Sequence, residues 1–339
     1  MTISVLNQRT HPERFTLAPL SGRTVAIIGY GNQGRAQALC LRDSGVACVV
    51  GVREGSRGAV TAGSDGLTVY TIDEAAGMAD LIVMALPDEV HGEVFRESVD
   101  PHLRERATVG FLHGFSVRFG SVTVRPGSGC VLLAPKGPGV TLRRLFLEGR
   151  GLPALYAMHQ DSEAGDAEPL TFAWATGIGC GRSGVIATTF ADEAETDLFG
   201  EQAVLCGGML GLVIAAFETM VDAGYAPELA YLECCHELKQ VADLLYARGP
   251  AGMAEAISNT AEFGAYRTGG MLIDDLVRAR MLEILDAIRG GAFARAIELD
   301  SQNGFRWFKE QRERLRAHAI NPAGEEIREL MPWLKQGEI

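Results

Sequence analysis

Thr24-Val25-Ala26-Ile27-Ile28-Gly29-Tyr30-Gly31-Asn32-Gln33-Gly34 joins an apolar run to a glycine-rich turn. A continuous apolar run ending in glycine is the pattern of a strand buried on both faces of a parallel sheet. The G-x-G-x-x-G that follows, at Gly29, Gly31 and Gly34, opens a helical pattern over residues 35–44, which Gly45 stops. In that setting the first glycine permits a tight turn and the second lets backbone approach a pyrophosphate. The third lets helix and strand pack closely, with the helix N-terminus facing the phosphates. A structural turn that binds nothing is the plain alternative.

Working outward, residues 47–52 and 80–86 read as further strands, and 108–112, 131–134 and 152–158 as candidates. Strands alternating with helical patterns predict a parallel sheet covered on both faces. The character changes after about residue 190. Helical periodicity then dominates over 201–223, 228–247, 251–263, 276–289, 293–298 and 325–330, punctuated by Gly249-Pro250, Gly269-Gly270 and Gly290-Gly291. The expected organisation is a Rossmann-like parallel-sheet domain over 1–189 and an all-α domain over 190–339.

The helical half carries two acidic pairs, Asp197 with Glu201 and Glu233 with Glu237. Spacing i,i+4 puts each pair on one helix face. Apolar neighbours surround them, and carboxylates in apolar surroundings are costly unless paired or metal-bound. Four oxygen-donor residues suit a hard divalent cation such as Mg²⁺. Solvated helix faces also show such spacings; the dinucleotide signature in the same chain favours the metal reading.

The formal net charge of −12 over 339 residues argues against a general nucleic-acid or anionic-membrane binder. Residues 1–19 show no apolar signal segment, and the apolar stretch 203–217 reads as a buried core helix too short to span a membrane. Seven cysteines, odd in number and mostly in apolar segments, look like reduced structural thiols of a cytoplasmic protein. The second strand continues into Arg53-Glu54-Gly55-Ser56-Arg57. Two guanidinium groups and a hydroxyl suit the 2′-phosphate of NADP, while Glu54 would suit the 2′-hydroxyl of NAD.

Several strings together resemble the ketol-acid reductoisomerases (acetohydroxyacid isomeroreductases), along nearly the whole chain. They are the glycine loop, Leu86-Pro87-Asp88-Glu89-Val90, His113-Gly114-Phe115, Ala134-Pro135-Lys136-Gly137-Pro138-Gly139 and Thr196-Asp197-Leu198-Phe199-Gly200-Glu201-Gln202. Glu233-Cys234-Cys235-His236-Glu237, Ser258-Asn259-Thr260-Ala261-Glu262 and Met331-Pro332-Trp333 complete the set. The length matches the short class of that family.

The resemblance implies an enzyme that converts 2-acetolactate or 2-aceto-2-hydroxybutyrate to a 2,3-dihydroxy-3-methyl acid in branched-chain (valine and isoleucine) biosynthesis. It implies NADPH and two Mg²⁺ ions as cofactors, and a knotted helical domain. Asp197, Glu201, Glu233 and Glu237 would hold the metal, the second pair coming from a partner subunit of a homodimer or higher oligomer. Ser258 would contact the substrate carboxylate. His113, Lys136 and Glu237 are the candidate catalytic groups, with Glu237 as a possible proton acceptor. The cofactor would touch Gly29, Tyr30, Gly31, Asn32, Gln33, Gly34, Arg53, Ser56, Arg57, Asp88, Glu89, Val90, His91 and Gly139.

The chain departs from the family pattern at Gly58 (commonly serine), His91 (glutamine), Val140 (histidine), Ala187 (glutamate) and Asn321 (acidic). Ala187 and Val140 motivate an alternative, a paralogue reducing a different ketol or keto acid in a specialised pathway. A non-catalytic NADP(H)-binding protein is the remote one. Glu193 and Glu195 read as surface charges near a helix start, and Trp307, Phe308 and Trp333 as core or interface anchors.

Overall fold

The computed structural model describes residues 5–336; the outermost ends of the two expected domains lie outside them. One sheet collects β1 (Val5–Leu6), β2 (Thr24–Ile28), β3 (Ala47–Gly51), β4 (Thr68–Tyr70), β5 (Leu81–Met84), β6 (Thr108–Phe111), β7 (Gly129–Pro135), β8 (Ala154–Gln160) and β9 (Val185–Ala187). Their order is β1-β9-β8-β7-β6-β5-β2-β3-β4.

From β4 through β3, β2, β5 and β6 to β7 every pairing is parallel. Beyond β7 the expectation of a parallel sheet fails. β8 is antiparallel to β7, and β1 is antiparallel to β9. The reason lies in the connection: Ala154, which opens β8, pairs with Pro135, which closes β7, so the chain returns to the end of the sheet it had just left. An apolar run reads alike in either direction, so sequence cannot signal this reversal.

The helices of this part are α1 (Asn32–Asp43), α2 (Arg57–Ser64), α3 (Ile72–Met78), α4 (Asp88–Val94), α5 (Phe115–Arg118), α6 (Gly139–Leu147) and α7 (Ala167–Gly177). Strand side chains alternate between two cores, as a period of two requires. Val25 and Ile27 join Leu41 of α1 and Trp174 of α7 on one face. Ala26 and Ile28 join Ile72 and Ala75 of α3 on the other. Trp174 donates its indole N–H to Gln37 of α1 at 2.9 Å, which satisfies a polar pair in the middle of the first core.

The remaining helices are α8 (Phe190–Gly200), α9 (Gly207–Asp222), α10 (Pro227–Tyr231), α11 (Glu237–Ala254), α12 (Asn259–Leu272), α13 (Asp275–Arg289), α14 (Ala292–Gln302), α15 (Arg306–Arg316) and α16 (Ile320–Glu329). The chain divides into two compact units, one ending at Ala194 and the other starting at Glu195. The division falls inside α8, five residues beyond the change of sequence character.

In the second unit, two single-turn π segments interrupt the helical pattern among the described residues, Glu201–Leu205 after α8 and Leu232–His236 after α10. Gly249, with φ of 71°, and Pro250 kink α11 where the Gly-Pro pair predicts a break. The expected helix over 251–263 is divided, because Ser258 caps a new one: its hydroxyl oxygen accepts the N–H of Ala261 at 3.2 Å.

The second unit has a small core, made by Val213, Phe217, Ala230, Ile320 and Ala323. The apolar stretch 203–217 is not the buried helix its composition predicts. Of it, Ala203, Val213 and Phe217 are buried, while Val204, Leu205, Met209 and Leu212 face outward. The continuous helical run Phe190–Asp222 is long and apolar enough, by length and composition, to cross a membrane, with 11% of its most apolar window buried. Trp307, Phe308 and Trp333 are also exposed, so none is a core residue of this chain.

Candidate active site

β2 lies at the point where the strand order reverses, with β3 on one side and β5 on the other. In open α/β sheets that is where the crevice for a ligand forms, outside the carboxyl ends of the strands. The candidate residues of the first unit gather along this edge. The glycine loop follows β2, Arg53 follows β3, Asp88 follows β5, His113 follows β6, and Lys136 to Gly139 follow β7.

The glycine loop is built as its sequence requires. Gly29 has φ of 99°, and a Cβ there would lie 2.6 Å from the carbonyl oxygen of Ala85. A Cβ on Gly34 would lie 2.3 Å from the carbonyl oxygen of Gly29. Around Gly31 there is open space, so bare backbone at the head of α1 is left for a phosphate to approach. The loop also touches the turn after β7: Gln33 donates to the Gly137 carbonyl at 2.8 Å, and a Cβ on Gly139 would meet the Asn32 oxygen at 2.2 Å.

At the end of β3, Arg53 and Arg57 are exposed. Ser56 caps α2, its Oγ accepting the Ala59 N–H at 3.2 Å, which leaves the hydroxyl proton to donate elsewhere. Asp88 and Glu89 open α4, where the helix dipole favours acidic groups. His91 turns inward instead. Its Nε2 donates to the Leu86 carbonyl at 2.9 Å, so its Nδ1 accepts from the Ser116 hydroxyl at 2.7 Å. Burial holds its pKa below the ordinary histidine value. Its imidazole is thus spent inside the protein, fixing the turn that presents Asp88.

Asp88 in turn pairs with His113, Oδ2 to Nδ1 at 2.9 Å. The neighbouring residue Gly114 donates its N–H to Glu193 Oε2 at 2.7 Å, and the other oxygen of Glu193 takes Lys136 Nζ at 2.7 Å. Glu193 is 1% exposed. The expectation of a surface charge is therefore overturned: a buried carboxylate must be paired, and this one joins the turn after β6 to the turn after β7. A Cβ on Gly114 would lie 2.2 Å from the Phe190 carbonyl oxygen, so the turn and the start of α8 are in backbone contact. Glu193 is the residue that sequence reasoning missed. Its signal was the spacing, since 193, 197 and 201 are acidic at intervals of four.

In the second unit, Asp197 lies on α8 and Glu201 begins the first π segment. Glu233 lies within the second, and Glu237 follows it. Single π turns inside helices recur at functional sites because they re-aim side chains. Glu201, Glu233 and Glu237 are exposed, not embedded in apolar surroundings as their neighbours in sequence suggest. Among the described residues, the four carboxylates do not draw together as a three-ligand group within one chain. Their donors are hard carboxylate oxygens, the kind that suits Mg²⁺. Ser258 is exposed at the N-terminus of α12.

A dinucleotide turn at a topological switch point, with an ion-paired lysine and histidine on the same sheet edge, defines a dinucleotide-binding protein with the polar centre of an enzyme. Residues 19–184 match the acetohydroxy acid isomeroreductase NADPH-binding domain, and residues 190–333 match the ketol-acid reductoisomerase C-terminal domain. The chain belongs to the ketol-acid reductoisomerases, enzymes of branched-chain amino-acid biosynthesis. It is similar to an NADH-preferring ketol-acid reductoisomerase from an uncultured archaeon, with 37% identity and a TM-score of 0.93 over 97% of this chain and 99% of that one.

Two more distant structures share the fold alone. A semialdehyde dehydrogenase NAD-binding protein from Cupriavidus necator has 20% identity and a TM-score of 0.61 over 79% of this chain and 98% of its own. A pyrroline-5-carboxylate reductase from Coxiella burnetii has 17% identity and a TM-score of 0.53 over 80% and 98%.

Proposed function

We propose that the chain isomerises 2-acetolactate and 2-aceto-2-hydroxybutyrate by alkyl migration and reduces the product with NADPH, in the presence of two Mg²⁺ ions. The observation that carries this reading is the Lys136–Glu193–Gly114 bridge beside the His113–Asp88 pair, on the sheet edge that also bears the glycine loop. Migration begins with loss of a proton from a tertiary hydroxyl, and charge then develops on oxygen. Glu193 holds the Lys136 ammonium in place, so a cation stands ready for that charge. Asp88 sets the orientation and tautomer of His113.

Asp197, Glu201, Glu233 and Glu237 would hold the Mg²⁺ ions, and Glu237 is our candidate for the group that takes the hydroxyl proton. Bound there, the metal would supply Lewis acidity toward the hydroxyl and carbonyl oxygens. Ser258 caps α12, and the unpaired N–H groups at that helix end suit the substrate carboxylate. Gly29 to Gly34, Arg53, Ser56, Arg57, Asp88 to Val90 and Gly139 would line the cofactor, which supplies the hydride, while the inward-turned His91 supports that turn from behind. We assign cofactor binding to the unit ending at Ala194, and metal binding and dimerisation to the unit from Glu195, with the knotted path the family resemblance implies.

A second pair of carboxylates from a partner subunit accounts for the failure of the four to converge in one chain, and the exposed apolar helices offer a face for a homodimer or higher oligomer. Free thiols at all seven cysteines suit the cytoplasm. The NADH preference of the archaeal relative, together with Glu54 and Gly58, gives weight to a second reading, in which NADH serves as well. Val140, exposed on the first turn of α6, keeps a specialised substrate in view.

The test is the oxidation of NADPH with racemic 2-acetolactate, with Mg²⁺ and then with EDTA. Turnover that EDTA abolishes is the expected result. Cofactor binding without any Mg²⁺-dependent turnover, on this or bulkier ketol acids, would overturn the proposal.

A further inference from the structure

Asp65 closes α2 as its C-cap residue, with its side chain 17% exposed. A carboxylate at a helix C-terminus opposes the helix dipole, so this placement needs compensation, and three groups supply it. Arg35, on the first turns of α1, makes a bidentate pair with it, Nε to Oδ2 at 2.7 Å and Nη2 to Oδ1 at 2.9 Å. Arg42, at the other end of α1, donates to the Asp65 main-chain oxygen at 2.5 Å. The third donor is the hydroxyl of Tyr30, 2.9 Å from Oδ2.

Tyr30 is a member of the glycine loop, buried against the head of α2. A Cβ built on Gly58 would lie 3.4 Å from Tyr30 Cβ. The tyrosine therefore rests its stem on the first turn of α2, beside Ser56 and Arg57, and anchors its hydroxyl at the last. Burial first, then the Asp65 hydrogen bond, raises the pKa of the phenol well above its ordinary range. Arg35 holds the Asp65 carboxyl below its own. The donor stays protonated and the acceptor stays charged across the working pH range.

We infer that Asp65 is a positioning residue for the dinucleotide site. Through Tyr30 it locks the glycine loop after β2 to the 2′-recognition loop after β3, so the two halves of the cofactor cradle hold one geometry. This rests on the reading that the Gly29–Gly34 loop binds the cofactor. An unpaired Tyr30 would leave that loop free to sample backbone arrangements in which its N–H groups no longer converge. Binding would then carry the cost of ordering it.

The experiment titrates NADPH and NADH against the full chain by fluorescence. It compares the wild type with Tyr30→Phe, Asp65→Asn, the double variant, and Gly34→Ala as a probe of the loop itself. Each single clamp variant is expected to raise Kd for both cofactors about tenfold, the scale of one charge-assisted hydrogen bond, with their ratio kept. The double variant should bind within about twofold of the weaker single one, because both act through the Tyr30–Asp65 contact, although Asp65→Asn also loosens the Arg35 pair.

Wild-type affinity in both single variants, alongside lost binding in Gly34→Ala, would overturn the clamp. So would losses confined to NADPH, or losses that multiply in the double variant. A clamp that serves stability alone would lower Tm and leave Kd unchanged. Wild-type affinity in Gly34→Ala would instead remove the loop assignment on which the inference stands. Should Asp65→Asn fail to fold, Tyr30→Phe, which deletes one oxygen, carries the comparison.

Discussion

The two units spend their apolar residues differently. In the first, side chains alternate between two cores that bury both faces of the sheet, and Leu41, Ile82, Phe111 and Trp174 are fully enclosed. In the second, one small cluster around Phe217 is enclosed, while Tyr246 is 87% and Met271 76% exposed. A soluble protein rarely leaves contiguous apolar surface bare without a use for it. The first unit is complete in itself. The second leaves much of its apolar surface bare, and of the four carboxylates proposed to hold metal, Glu201, Glu233 and Glu237 are exposed and the four do not converge within one chain. Both gaps are ones that the proposed homo-oligomer would fill with a second copy of the chain.

Substitutions in each unit test this contrast between them. The largest effect is expected at Glu233. Glu233→Gln should cut turnover by about three orders of magnitude or more, by removing a metal donor, with NADPH affinity and Tm near wild type. A variant that kept most of its activity would detach the helical carboxylates from catalysis.

Glu193→Ala strikes the first unit's own polar centre. It removes the partner that orients Lys136 and releases the Gly114 turn. The expected result is a fall in kcat of about a hundredfold, within the range for losing one preorganised electrostatic partner. Turnover unchanged at saturating substrate would reduce the bridge to packing.

Leu41→Ala tests completeness of the first unit. Truncating a fully buried leucine costs about 2–5 kcal/mol. The loss should be independent of protein concentration. Phe217→Ala, in the small core of the second unit, should instead give a Tm that rises with protein concentration, as linkage to assembly requires. Equal concentration dependence for both variants would erase the distinction between the units.

His91 gives the smallest effect. Its pKa is lowered by burial, so below the ordinary histidine value of about 6.5 the unfolded chain binds a proton that the folded one refuses. Stability is then fully present above that pH and is lost as pH falls through it toward the folded value. Chemical denaturation at pH 7 and pH 5 should show a loss of stability at the lower pH that is smaller in His91→Gln. Parallel pH profiles would mean that the imidazole is protonated in place.

Much of this was legible in the chain because it rests on local pattern. The run 24–28 with its glycines needs no partner to be recognised, and the Gly249-Pro250 kink is written in two residues. What escaped is set by distant contacts. β1, β4 and β9 are two or three residues long and exist because a sheet edge offers them hydrogen bonds. The reversal at β8 follows from where the chain re-enters, and the two π segments have no residue signature. The helix α15 was missed because charge dominates its sequence, Arg306 to Arg316, in which Trp307, Phe308 and Leu315 are the apolar residues. Glu193 looked like solvent-facing charge until the fold brought Lys136 and Gly114 to it. Burial is a tertiary property, and periodicity on a single helix reports it poorly.

The central claim is that the second unit is half of a shared structure. The most direct measurement is sedimentation of the whole chain over a dilution series, with specific activity assayed at each concentration. The account predicts a dimer or larger assembly at working concentration, and activity that falls in step with dissociation on dilution. A monodisperse monomer with full turnover would contradict it.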